Sequence, residues 1–212
     1  MTDALRQQLI DTAQAMNASG LNQSTSGNLS VRCEDGMLIT QTGMDYASLS
    51  PDDIVWMDLN GAYGGARHPS SEWRFHAAIY QHQADAYAVL HAHPVSCATL
   101  ACLGKGIPAF HYMVAIAGGR DIRCASYATF GTPELSEHVI KALEDRKACL
   151  MAHHGMVCFA QDLPGALALA IEVEHLAAVY GRILTMGQPQ ILSDNEMAVV
   201  LEKFSSYGVQ DL

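Results

Sequence analysis

Ala86-Tyr87-Ala88-Val89-Leu90-His91-Ala92-His93 is the stretch on which the reading of the fold turns. The apolar run 86–90 reads as a strand. In a strand, side chains two apart leave the same face, so His91 and His93 point to one spot. Two co-facial imidazoles at a strand end are an economical way to hold a divalent metal. Downstream, Met151-Ala152-His153-His154-Gly155 offers a third imidazole after another short apolar run. Upstream, Ser70-Ser71-Glu72-Trp73 offers a carboxylate where a helix begins. Three histidines, one glutamate and an open coordination position describe a catalytic zinc site better than a structural one. A His-x-His pair alone supplies too few ligands; Glu72 and His154 make the case. His68, His76, His82, His111, His138 and His175 have no partner at ligand spacing and read as structural.

Working outward, residues 3–18 carry Leu5, Leu9, Ile10, Ala13 and Met16 at helical spacing, and Gly20 ends that helix. Leu29–Cys33 and Met37–Gln41 read as strands joined by a turn at Glu34-Asp35-Gly36. Ser50-Pro51-Asp52-Asp53 reads as a helix start, with Ser50 as cap and Pro51 in the first position. Ile54–Asp58 and the residues beyond Asn60-Gly61 suggest a second hairpin. The spacing then predicts a helix over 71–83, a strand over 86–92 and a helix over 94–103. Ser126–Phe130 reads as extended, 132–145 as a helix and Ala148–Met151 as a buried strand. Met156–Ala160 returns as its antiparallel neighbour, and helices 163–186 and 194–206 close the chain. Hairpins mixed with βαβ-like alternation imply one α/β domain over residues 1–212. It is a three-layer α/β/α arrangement around a central mixed, largely antiparallel sheet.

Bulk properties narrow the function. Half of the 212 residues are hydrophobic and 16% are charged, which excludes disorder. The formal charge is −10 with Lys and Arg scattered, so a nucleic-acid partner is not expected. No stretch reads as apolar for the roughly 20 residues that crossing a bilayer takes, and Met1-Thr2-Asp3-Ala4 does not read as a signal peptide. A membrane association is therefore not expected either, and a cytoplasmic location is. Six cysteines without a C-x-x-C fit a reducing compartment and read as small buried hydrophobes.

Three loops share a composition. Thr25-Ser26-Gly27-Asn28 precedes a strand, Thr42-Gly43 follows one, and Ser70-Ser71 precedes a helix. Backbone N–H groups at glycine turns and helix N-termini can cradle a phosphate without a basic cluster. Each loop alone is ordinary turn chemistry; the phosphate reading needs all three to converge.

The chain resembles the class II, zinc-dependent fuculose-1-phosphate aldolases almost end to end. The resemblance rests on Thr25-Ser-Gly-Asn-Leu-Ser-Val-Arg32, Met37-Leu-Ile-Thr-Gln-Thr-Gly43, Pro69-Ser-Ser-Glu-Trp-Arg-Phe-His76, His91-Ala-His93 and Ile107-Pro-Ala-Phe-His-Tyr-Met113. It continues through Tyr127-Ala-Thr-Phe-Gly-Thr132, Leu135-Ser-Glu-His138, His154-Gly155, Leu192-Ser-Asp194, Ala198–Phe204 and Tyr207-Gly208. It implies one zinc ion per subunit on His91, His93 and His154, with Glu72 in the remaining position until substrate displaces it. It assigns the phosphate to Thr25, Gly27 and Asn28, to Thr42 and Gly43, and to Ser70 and Ser71. It places Phe130 near the aldehyde pocket. Tyr112 and Tyr207 are implied to reach the site of an adjacent subunit in a cyclic homotetramer.

The implied reaction is reversible cleavage of a ketose 1-phosphate, L-fuculose 1-phosphate first among candidates, in fucose breakdown. Its products are dihydroxyacetone phosphate and L-lactaldehyde, formed through a zinc-stabilised enediolate. Tyr112 takes the proton from the departing aldehyde's hydroxyl, and Glu72 protonates the enediolate carbon. A related aldolase for 5-deoxyribulose 1-phosphate is the near alternative. Superfamily epimerases, dehydratases and decarboxylases share the three histidines; an epimerase needs a further acid/base group, often an aspartate, where this chain reads Phe110-His111-Tyr112-Met113. A non-catalytic binding module is the distant alternative, and a generic zinc hydrolase fits the ligand set alone. Ser26 and Gln41 depart from the smaller or more rigid residues expected beside the phosphate loops, and the polar stretch from Leu192 onward reads as a mobile tail.

Overall fold

The computed structural model describes residues 2–23 and 25–206. Its strands are β1 (Asn28–Cys33), β2 (Gly36–Ile39), β3 (Val55–Met57), β4 (Ala88–Ala92), β5 (Cys124–Ala125), β6 (Ala148–Met151) and β7 (Gly155–Ala160). They form one sheet in the order β3-β2-β1-β4-β7-β6-β5. Each neighbouring pair is antiparallel except β5 with β6. The helices are α1 (Thr2–Ala18), α2 (Trp73–His82), α3 (Val95–Cys102), α4 (Pro133–Ala142), α5 (Leu163–Met186) and α6 (Asp194–Ser206).

The period of two along each strand sorts side chains into two cores. Ala88, Leu90 and Ala92 of β4 pack with Leu9 of α1, Leu100 of α3 and Val173 of α5. Val89 turns the other way, toward Phe75 and Ile79 of α2 and Val139 of α4. The sheet is therefore covered on both faces, as the hydrophobic pattern predicted. On the α2 side the apolar face of the sheet gives way to Asn28, Ser30 and His91, all buried. Phe75 and Ile79 are fully buried, which contributes about 1.5–3 kcal/mol each. That burial fixes α2 although no side chain caps its start; Glu72, at the cap position, leaves its carboxylate free for other contacts.

Several expectations needed correction. Ser50 and Asp53 do form a capping box, yet the helix they begin is a single 3-10 turn, Pro51–Asp53. It stops because Ile54 turns extended and the next residues pair with β2. Beyond Asn60-Gly61 the second hairpin is rudimentary: among the described residues a single bridge, Met57 with Tyr63, joins its two arms. The extended segment near Ser126–Phe130 sits earlier, at Cys124–Ala125, because those two residues run parallel to β6. Cys97, Cys149 and Cys158 are buried as expected, whereas Cys102 is exposed at the end of α3. Helix α5 is long and apolar enough, by length and composition, to cross a membrane, contrary to the sequence reading. Its Val173, Leu176 and Ala177 instead lie in the core beneath the sheet. Nor is the whole tail loose: Met197 of α6 is buried and α6 packs on the 3-10 segment Tyr112–Ala117.

Candidate metal centre

Pairing of β4 with β7 sets His91 opposite Val157. The His91 ring donates from Nδ1 to the Met156 carbonyl at 2.8 Å, which leaves Nε2 as a lone-pair donor. His93 lies just past the strand end, on the same face, with its Nε2 2.8 Å from that of His91. The third ring arrives from the β6–β7 turn. His153 there takes a left-handed backbone, φ 56°, and His154 follows it into the site. Gly155 then permits β7 to start close to β4, since a Cβ there would lie 2.4 Å from the Ala92 carbonyl oxygen. The three ring centroids stand 4.7, 4.8 and 4.8 Å apart.

Glu72 completes the group from the start of α2. Its Oε2 lies 3.2 Å from His91 Nε2 and its Oε1 3.2 Å from His154 Nε2. One donor atom from each of the four residues falls within 4.8 Å of the others. Ligands about 2.0–2.1 Å from a tetrahedral metal ion stand roughly 3.3 Å apart, and the 2.8 Å His91–His93 and the two 3.2 Å Glu72–His contacts lie near that spacing. Glu72 Oε1 is buried and has no hydrogen-bond partner among the described residues. A buried carboxylate oxygen without a donor, facing imidazole lone pairs, is costly unless a cation takes them all. The residues therefore fit a divalent metal, and the His/Glu set is a metal-binding centre of three imidazoles and one carboxylate.

Electrostatics agree. Burial opposes ionisation of Glu72, but the adjacent His91 and His154 outweigh it and hold the carboxyl well below its usual range. Burial, reinforced by His91 and His154 and opposed by Glu72, pushes His93 down to about 3. A neutral imidazole is the form that ligates.

The centre floors a cleft of about 360 Å³, within the range of small-molecule sites. The three predicted loops do converge there: Thr25, Gly27 and Asn28 from one, Thr42 and Gly43 from the second, Ser70 and Ser71 from the third. Gly27 and Gly43 have φ of 85° and 70°, a backbone open to glycine and not to most residues. Phe130 stands at the cleft wall, 63% exposed. Among the described residues lining the cleft, none is Lys or Arg. An anion there meets N–H groups, hydroxyls and the start of α2, and no lysine among these lining residues is at hand for a Schiff base. Tyr112, 51% exposed, does not line its own chain's cleft. Tyr207 lies outside the described residues.

Some functional positions escaped the sequence reading. Asn28, expected at the phosphate, lines the cleft, and its carboxamide has a second engagement: Nδ2 donates to Glu72 Oε2 at 2.9 Å and Oδ1 accepts from His76 at 2.6 Å. His76, read as structural, thus belongs to the site's support; standing four residues after Glu72, on the same helical face, was the available signal. Glu174 of α5 accepts from Ser96 N at 2.9 Å and Cys97 N at 2.8 Å. It thereby ties down the start of α3 just after His93, and only the tertiary structure reveals it. His153 and Tyr127 also line the cleft, their rings edge to face at 5.8 Å.

Comparison with known proteins is consistent from end to end. A family model described as the class II aldolase and adducin N-terminal domain matches residues 7–180. A 5-methylthioribulose-1-phosphate/5-deoxyribulose-1-phosphate aldolase of Rhodospirillum rubrum is 55% identical, over 97% of this chain and 93% of that protein. An L-fuculose phosphate aldolase of Escherichia coli is 54% identical, over 97% and 96% respectively. A solved L-fuculose 1-phosphate aldolase superposes with a TM-score of 0.92 at 42% identity, covering 95% of this chain and 96% of that one.

Proposed function

The chain belongs to the class II aldolase family, and from that membership we propose that it cleaves a ketose 1-phosphate into dihydroxyacetone phosphate and a short hydroxyaldehyde. L-Fuculose 1-phosphate, giving L-lactaldehyde, is the substrate of the first reading. The observation that carries the proposal is the Glu72, His91, His93, His154 cluster at the floor of a cleft whose walls are three small-residue loops without a cation.

Zinc is the proposed metal, one per subunit, because three imidazoles with one carboxylate and room for substrate suit it. When bound it supplies Lewis-acid polarisation of the substrate's carbonyl and neighbouring hydroxyl oxygens. The chain's own groups do the rest. Gly27, the Asn28 backbone, Thr42, Gly43, Ser70 and Ser71 hold the phosphate through hydroxyls and backbone N–H groups, and Thr25 closes the same wall. Glu72 carries the proton to and from the carbon that ends up in dihydroxyacetone phosphate. Phe130 bounds the space for the aldehyde. Tyr112 does not line its own chain's cleft, so it is assigned to the cleft of a neighbouring subunit in a homotetramer, and Tyr207 is assigned the same role. There Tyr112 takes the hydroxyl proton as the carbon–carbon bond breaks.

A second substrate reading has its own support. The Rhodospirillum rubrum relative, named for methylthioribulose and deoxyribulose phosphates, is as similar as the fuculose enzyme of Escherichia coli. The two substrate types differ in a small apolar or hydroxylated end, and such differences discriminate weakly. The deciding experiment is a cleavage assay on zinc-replete protein across a panel of ketose 1-phosphates, coupled to detection of dihydroxyacetone phosphate. The largest kcat/KM names the substrate; silence across the panel overturns the aldolase assignment.

A further inference from the structure

A line of buried hydrogen bonds runs away from Glu72 into the layer between the sheet and α2. Asn28 Nδ2 holds Glu72 Oε2, and His76 Nε2 lies 2.6 Å from Asn28 Oδ1. On its far side, His76 Nδ1 lies 2.7 Å from Ser30 Oγ, which in turn is 2.8 Å from the Tyr80 hydroxyl. Asn28, Ser30 and His76 are 4%, 0% and 0% exposed, so no solvent competes for these groups. Phe75 stacks on the His76 ring at 4.8 Å and fixes its plane.

With a neutral His76 ring, only one direction of donation satisfies every member. A carboxylate accepts, so Asn28 must present its NH2 to Glu72 and its oxygen to His76. His76 must then carry its proton on Nε2 and accept at Nδ1 from the Ser30 hydroxyl. The Ser30 oxygen is left to accept from Tyr80. Reversing the line turns Asn28 Oδ1 toward Glu72 Oε2, acceptor against acceptor at 2.9 Å.

The geometry points to His76 as a positioning residue for Glu72: it locks the Asn28 carboxamide in the one orientation that grips Oε2, which leaves Oε2 beside His91 and Oε1 facing His154. This role rests on the aldolase reading, in which Glu72 moves a proton and cannot be allowed to rotate freely. Holding one oxygen from behind keeps the carboxylate aimed at the reacting carbon when substrate competes for its place. Ser30 and Tyr80 act one step further back, by fixing the His76 tautomer. Buried partners of this kind are worth about 10–100-fold in activity.

Two measurements test it. Long-range proton–nitrogen NMR on the zinc-loaded protein should show His76 as the Nε2–H tautomer; the Nδ1–H tautomer overturns the proposal. His76→Phe removes the donor, while His76→Gln places an amide N–H near the position of Nε2. The expected result is kcat lowered about 10–100-fold in His76→Phe, with KM and zinc content close to the parent, and most of kcat regained in His76→Gln. Unchanged kcat in His76→Phe, or a loss that tracks zinc content and is not regained in His76→Gln, overturns it. The tautomer is read whether or not His76→Phe folds, and it is independent of the substrate panel. A protein silent on every ketose phosphate but with His76 protonated at Nε2 would refute the aldolase reading and leave the hydrogen-bond line intact.

Discussion

Nε2 of His91 and Nε2 of His93 meet at 2.8 Å, with the His91 ring proton already committed at Nδ1 to the Met156 carbonyl. Without metal, one proton on His93 has to hold that contact. A divalent ion holds it better, because it engages His154 and Glu72 as well.

Metal stripping should therefore abolish cleavage and lower the melting temperature while the far-ultraviolet circular dichroism stays unchanged. At free metal about 1,000 times its Kd, linkage stabilises the fold by about 4 kcal/mol. Readdition of zinc should restore both properties. A melting temperature indifferent to complete removal would count against the cluster as a metal centre.

Glu72→Gln separates proton transfer from ligation. Three imidazoles remain, so metal content by elemental analysis should stay near one per chain, while kcat falls about 10²–10⁴-fold. Loss of metal in step with activity would instead make Glu72 chiefly a ligand.

The sequence revealed this centre unevenly, for physical reasons. Co-facial display of His91 and His93 follows from strand periodicity alone, and helix α5 and strand β6 came out with the boundaries their apolar patterns predicted. Glu72 was legible only as a carboxylate at a helix start; that its side chain would be left uncapped depends on Phe75 and Ile79 burying α2. The Asn28–His76 contact joins residues 48 apart in the chain and leaves no periodic trace. The short Pro51–Asp53 turn was overcalled as a helix because local capping signals say nothing about the β2–β3 pairing that ends it.

His76 should make the protein sensitive to mild acid. Burial, with His91 adding and Glu72 opposing, pushes its pKa down to about 3, against about 6.5 in an unfolded chain. Below about pH 6.5 the unfolded chain takes up a proton that the folded chain refuses. Stability from this residue is thus complete above that pH and declines toward pH 3 by about 1.4 kcal/mol per unit. Urea unfolding of the chelated protein and of His76→Gln, followed between about pH 4.5 and 6.5, should give curves that converge as the pH falls. Parallel curves would mean that His76 is already protonated in the folded state.

Gly155→Ala should damage fold and centre together. The added methyl would sit 2.4 Å from the Ala92 carbonyl oxygen and 2.8 Å from His93 Cδ2. Overpacking of this kind costs about 1–3 kcal/mol. A displaced His93 should also weaken zinc affinity about 10-fold or more, measured by competition with a chelator. Parental stability and affinity would show that β4 and β7 can part without consequence.

The cleft without a lysine or arginine also determines how a substrate arrives. A chain of formal charge −10 repels a dianionic phosphate at long range, and nothing among the described cleft residues funnels it inward. Capture is then a matter of the last few ångströms, where oriented N–H groups take over from the field of the whole molecule. At low ionic strength the Debye length reaches about 30 Å, and the repulsion slows encounter. Added salt should accordingly raise kcat/KM, the opposite of an electrostatically steered enzyme, and a falling profile would reveal an attracting cation supplied by another chain.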